Sequence, residues 1–381
     1  MLQQYVLDPL RALFNGGNYA SADSTSVATN TTSGSSGGNH VAVANTAGTA
    51  TNTDVGTRNV QNAYGGGGIA TNEVGTGSHN TQHATATTGG EVHNQISGSN
   101  NTESATASGG GFVINSVSGI SANTTGTGNQ VTGSAVGASS TAWSFVNGDN
   151  NRTSSSSTGL LANTQTGTNG SNNVVSALAS GANSTAGSSA GATTVASPGS
   201  IGQNSKSPVS GNHVSATATG TGVAAAEALS NNNRVTAQGL NGGTARANAG
   251  ATPDGRSPAV GDIGRSTVTA AATGAGSVAT AAANNAATAQ SSATTGGQAS
   301  SIANLGSTAQ ATATGTGTAT ATATVANSVA IARAFGAGAS ASASATSIDP
   351  AGGATTVACT IPGGHAFAYT SDGGKTTMQF C

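Results

Sequence analysis

Six histidines, twelve acidic residues and two cysteines are the side chains of this 381-residue chain best equipped for chemistry, and their spacing decides what they can do. The closest histidines are His79 and His83, with His93 further on. Residues four apart share a helix face and can hold zinc. Here the surrounding sequence reads as strand and turn, where they lie about 13 Å apart. The acidic residues are scattered, and none sits in a motif that sets up acid and base roles. Gly65 to Gly68 are not followed by the aspartate that a calcium-binding nonapeptide needs. No stretch has the full Gly-x4-Gly-Lys-Ser or Gly-x4-Gly-Lys-Thr spacing of a phosphate loop, and no Gly-x-Ser-x-Gly has a strand-to-helix context with later His and Asp in reach. The expectation is a chain that is not an enzyme, with no catalytic residue, no cofactor and no metal.

Three other groups stand out. Cys359 and Cys381 are 22 residues apart, so stacked repeats of that length bring them together. A disulfide closing this loop would contribute about 3 kcal/mol and implies an oxidising compartment; two free thiols in a reducing one is the alternative. Thr312, Thr314, Thr316, Thr318, Thr320, Thr322 and Thr324 form a period-two row that makes a candidate threonine face. Such residues lie about 6.7 Å apart along a strand, with neighbouring strands about 4.8 Å away. Phe112, Trp143 and Phe145 are the aromatic group, the last two sharing a strand face. They read as packing inside a wider coil, with an exposed sugar-stacking platform as the alternative.

The elements that must position these residues are small-residue strands. Only 3% of residues are aromatic and 6% charged, while glycine alone contributes 58 residues, so a core of large apolar side chains is excluded. Disorder would fit a chain that buries little, but it usually comes with many Pro, Glu and Lys, and here there are seven Pro and two Lys. Regular punctuation favours order. Asn39-His-Val-Ala-Val, Asn59-Val-Gln-Asn-Ala, Asn80-Thr-Gln-His-Ala and Asn101-Thr-Glu-Ser-Ala open a series that recurs at Asn129, Asn151, Asn173, Asn212 and Asn233. The steps are 20, 21, 21, 28, 22, 22, 39 and 21 residues. A period near 21 with alternating strands and Gly or Asn corners predicts an all-β solenoid of two or three strands per coil. Asn15-Gly16, Asn147-Gly148, Asn169-Gly170 and Asn241-Gly242 are candidate tight turns. Asparagines at a repeated position can also bond their copies above and below.

Five segments follow. In residues 1–19, Leu2, Tyr5, Val6, Leu7, Leu10, Leu13 and Phe14 predict an amphipathic helix that caps the first coil. Residues 20–251 form solenoid tract one, 252–265 a loop or insertion holding Pro253 and Pro258, and 266–349 an Ala/Thr/Gly-rich tract two. Residues 350–381 form a small C-terminal cap stapled by the cysteines. Neither clustered basic residues for nucleic acid nor a 20-residue apolar stretch for a membrane span is present. The first residues lack the basic and apolar regions of a secretory signal, which leaves prior removal, another export route or assembly inside a cell.

Val325-Ala-Asn-Ser-Val-Ala-Ile-Ala-Arg-Ala-Phe-Gly-Ala-Gly-Ala-Ser-Ala resembles the Asn-Ser-Val-Ala-Ile-Gly repeats of trimeric autotransporter adhesin heads, which are bacterial surface β-rolls. Ala332 stands where that repeat has glycine. The Thr-Ala tracts with a cysteine-bearing C-terminus are similar to secreted Ala/Thr/Gly-rich repeat proteins of actinobacteria. These resemblances imply an extracellular or cell-surface structural or adhesive fibre that self-associates into a filament or homo-oligomer. A surface glycan or cell-envelope component would be a further partner. Ice binding through the threonine face and a phage tail or receptor-binding fibre are the rival expectations.

Overall fold

Alternation of very small with polar residues, as in Thr318-Ala-Thr-Ala-Thr-Ala-Thr324, gives a strand one face of which can be buried at close range. A computed structural model of the chain is built from such strands. It describes residues 18–22, 27–33, 39–44, 49–55, 60–66, 68–74, 81–87, 89–96, 102–110, 112–117, 126–127, 130–149, 152–169, 174–190, 213–228, 234–249, 267–283, 288–304, 308–324, 329–336, 338–346, 355–360, 364–371 and 375–380. The fold is an all-β solenoid. Each coil places one strand in each of two sheets, and the strands pair in parallel with those of the coils before and after. The chain separates into two compact units, residues 1–174 and 175–381.

In the first unit, one sheet runs through Asn39–Ala44, Val60–Gly65, Thr81–Ala86, Thr102–Ser108, Gln130–Val136 and Arg152–Thr158. The other runs through Thr49–Val55, Ile69–Val74, Glu91–Ile96, Phe112–Val117, Thr141–Asp149 and Asn163–Asn169. The register column Ala42, Ala63, Ala84, Ala105, Gly133, Ser155 advances by 21, 21, 21, 28 and 22 residues, so the period written in the asparagine repeats is the coil length. The 28-residue step contains the short strand Gly126–Thr127, which pairs with Gly148 and Asp149.

The second unit has an interior made mostly of alanine. Ala279, Ala299, Ala319 and Ala341 form one column of the second sheet, and Ala289, Ala309 and Ala330 one of the first; all are essentially inaccessible. Alanine loses no rotamer freedom on burial, and its methyl group lets two sheets approach closely. The alternate positions carry β-favouring threonine toward the outer faces. At some corners between the sheets a side chain has no room. Gly315 has φ of 81°, and a Cβ there would lie 2.5 Å from Gly296 N.

Several expectations change. Of the two or three strands expected in a coil, there are two. Asn241-Gly242 is a turn with φ of 61° and 89°, but Asn147 and Gly148 lie inside strand Thr141–Asp149, held extended by the extra pairing with Gly126–Thr127. Residues 350–381, expected as a small C-terminal cap, carry Thr355–Thr360, His365–Ser371 and Lys375–Phe380, which pair in register with both sheets. Their inward Thr356, Ala358 and Thr360 are small enough to stay on the stack. Of the predicted capping helix over 1–19, residues 1–17 lie outside the described residues, and Asn18 and Tyr19 begin a strand that pairs with His40 and Val41. The insertion at 252–265 also lies outside them, as do Asn15-Gly16 and Gly170. Among the described residues no helix is long and apolar enough to cross a membrane.

Candidate functional site

The most organised side-chain chemistry lies inside the first unit. Asn52, Asn72 and Asn94 occupy one register column of the second sheet and are buried. Asn52 Nδ2 donates to Asn72 Oδ1 at 2.8 Å, and Asn72 Nδ2 donates to Asn94 Oδ1 at 3.1 Å. Each amide also reaches across the interior: Asn52 to the carbonyl of Asn62 at 2.7 Å, Asn72 to that of His83 at 2.8 Å, and Asn94 to that of Ser104 at 3.0 Å. Those three carbonyls are themselves one column of the first sheet. A buried amide without a partner costs about 1–3 kcal/mol, so every coil must repeat the residue to satisfy the last.

A second column answers from the first sheet. Gln82 Nε2 donates to Gln61 Oε1 at 2.7 Å and to the carbonyl of Gln95 at 3.3 Å, and Gln61 Nε2 to the carbonyl of Glu73 at 3.2 Å. Glu103 follows in the column, wholly buried, and burial holds its carboxyl well above the usual carboxylate range. The two ladders run in opposite senses along the stack and stitch the sheets together. Beyond them hydroxyls take over: Ser157 and Thr164 meet at 2.5 Å, and Ser144 Oγ donates to the carbonyl of Ser154 at 3.4 Å. In the second unit such contacts are made by hydroxyls, among them Ser188 to the carbonyl of Ser215, Ser291 to Ser301 at 2.7 Å, and Thr356 to the carbonyl of Tyr369 at 2.9 Å.

The residues singled out from the sequence fall elsewhere. His83 faces outward from the first sheet and His93 from the second, where His93 Nε2 lies 3.5 Å from Glu91 Oε2; His79 lies outside the described residues. Among the described residues no three His, Cys, Asp or Glu side chains gather as metal ligands. Trp143 is not packed inside a coil as expected. The buried Ala142 and Ser144 on either side of it take the interior, which leaves the indole on the outer face of the second sheet. There Phe112 sits edge-on between Trp143 at 5.1 Å and His93 at 6.5 Å. The side chain of Phe145 lies outside the described residues.

The corner Gly315-Thr316-Gly317 divides the threonine row. Thr312 and Thr314 end a strand of the first sheet, Thr316 is in the turn, and Thr318, Thr320, Thr322 and Thr324 lie on the second sheet. The four residues of the second sheet have Ser340, Ser342, Ser344 and Thr346 directly beside them. Cys359 is buried and pairs in register with Gln379, two positions before Cys381, which lies outside the described residues. The expected bonding of asparagines at a repeated position to their copies is found at Asn52, Asn72 and Asn94. The glutamine ladder was overlooked, although its signal is the third residue of Asn59-Val-Gln, Asn80-Thr-Gln and Asn101-Thr-Glu.

Comparison of the chain with protein-family models, with curated proteins and with solved structures finds no match.

Proposed function

We propose that this chain is a non-catalytic structural protein of the cell surface or extracellular space that self-associates into filaments. The observation that carries this reading is the sameness of successive coil-to-coil interfaces. Columns such as Ala279, Ala299, Ala319 and Ala341, or Asn52, Asn72 and Asn94, present each coil with a copy of itself. A coil from a second copy therefore offers the same ladder and the same packing as the next coil of one chain. An adhesive role belongs to the outer faces, where Phe112 and Trp143 supply a stacking surface for a glycan of the envelope.

Electron microscopy of the purified protein across a concentration series tests self-association. Filaments that lengthen with concentration and diffract at the strand spacing of about 4.8 Å are expected. A species that stays monomeric at every concentration would refute the reading. Thr377→Pro removes a backbone donor from strand Lys375–Phe380, which has one hydrogen-bonded neighbour among the described residues, and should slow growth.

A Cys359–Cys381 disulfide belongs to the same reading, because it fastens adjacent coils. Thiol titration of the unfolded, unreduced protein should find no free thiol, and Cys359→Ser should cost about 3 kcal/mol. Ice binding is the second reading, favoured by the paired rows Thr318–Thr324 and Ser340–Thr346. Thermal hysteresis abolished by changing Thr318 and Thr320 would establish it in place of the first.

A further inference from the structure

The glutamine ladder of the first unit has an unfinished end. Gln61, Gln82 and Glu103 share one column and are all inaccessible to solvent. Both N–H groups of Gln82 are used, one on Gln61 Oε1 and one on the carbonyl of Gln95, while Gln82 Oε1 receives no hydrogen bond. The next residue up the column is Glu103, and both of its carboxyl oxygens are likewise buried without a partner. Three buried acceptors thus lie on two successive rungs of the column with no donor bonded to any of them.

Among the described residues no charged side chain faces the Glu103 carboxyl. The inward residues of the flanking strands are Gln82 and Ala84 on one side and Val131 and Gly133 on the other. Those of the facing strands include Val92, Asn94 and Val113. The titratable residues on these strands, His83, Glu91 and His93, occupy outward positions. An ionised Glu103 would bury two negatively charged acceptors beside a third acceptor with no donor bonded to any of them, an arrangement that desolvation disfavours. A neutral carboxylic acid has the length and shape of glutamine and carries the single O–H that Gln82 Oε1 lacks.

We propose that Glu103 completes the glutamine ladder as a neutral carboxylic acid, donating its O–H to Gln82 Oε1, so that the coil stack of the first unit is closed in acid and loosened in base. The same desolvation that orphans the carboxylate raises the Glu103 pKa in the folded state. The unfolded chain gives up this proton in the ordinary range near 4.3, and the folded chain keeps it. Folding then binds a proton throughout the window between the two values. Stability is fully present below the unfolded pKa, falls as pH rises, and stops falling above the folded pKa. Each pH unit in that window lowers the folding equilibrium constant about tenfold.

Glu103→Gln tests the inference, since glutamine offers the missing donor at every pH. In denaturant unfolding of the full chain from pH 4 to pH 9, the variant should gain on the wild type by about tenfold in folding constant per pH unit until the folded pKa is passed. Glu227, whose pKa burial pushes up to about 8, gives both proteins the same dependence and cancels in the difference. A difference that does not change with pH would overturn the proposal, as would a variant less stable than the wild type. An independent readout is the infrared spectrum of the folded wild type at neutral pH. Since Glu227 contributes equally to both proteins, the wild-type-minus-Glu103→Gln difference spectrum should contain a protonated-carboxyl band, and a carboxylate band in its place would refute the assignment. Glu103→Leu, which fills the space without a donor, should be less stable than the wild type in acid; equal stability there would show that no ladder bond exists.

Discussion

Replacing Asn72 by alanine removes the middle rung of the asparagine ladder. The Asn72 side chain accepts from Asn52 Nδ2 at 2.8 Å and donates to the carbonyl of His83 at 2.8 Å and to Asn94 Oδ1 at 3.1 Å. At about 1 kcal/mol for each hydrogen bond, the loss is about 3 kcal/mol, and the emptied volume adds about 1 kcal/mol more. Guanidinium unfolding of the full chain followed by circular dichroism measures it, with Thr71→Ala as the control. Thr71 precedes Asn72 on the same strand but points outward, so its change should stay within about 0.5 kcal/mol. A midpoint for Asn72→Ala indistinguishable from that of Thr71→Ala would refute the claim that interior amides hold the first unit together.

Two further predictions concern the second unit. Ala321→Leu inserts a branched side chain into a column built for methyl groups and should cost at least about 1–3 kcal/mol in thermal unfolding, whereas Thr320→Val on the outer face should be nearly neutral. Gly315→Ala and Gly338→Ala separate the two costs of a corner. Both glycines have φ near 80°, but a Cβ at 338 meets nothing within 4 Å while one at 315 lies 2.5 Å from Gly296 N. Unfolding should show about 1–2 kcal/mol for Gly338→Ala and distinctly more for Gly315→Ala.

Coil length and strand alternation were legible in the sequence because each depends on local pattern. Asn59, Asn80 and Asn101 stand immediately before the strands that open successive coils, and Thr-Ala alternation fixes which side chains face inward. Placement of the special residues was not legible, because it depends on where the corners fall. The Thr312–Thr324 row looks continuous until Gly315 and Gly317 turn the chain within it. Trp143 looks like core until Ala142 and Ser144 claim the interior positions on either side. The glutamine ladder required knowing that the third residue of each repeat points inward, a matter of one-residue phase that Gln61, Gln82 and Glu103 do not reveal by type. Polar residues at such positions ordinarily argue for a solvated face; here the recurrence from coil to coil is what satisfies them.

Where the inward residues are all alanine, as in Thr318–Thr324 and Ser340–Thr346, the interior of the second unit carries no address. A strand displaced there along its axis by two residues would meet the same methyl groups as before, so those packed surfaces alone do not record which coil belongs next to which. The amides of the first unit do keep such a record, since Asn72 out of step leaves its partners unpaired. In the second unit that record is kept by the glycine corners, which makes turns, not the core, the place where changes in coil number must be edited cleanly.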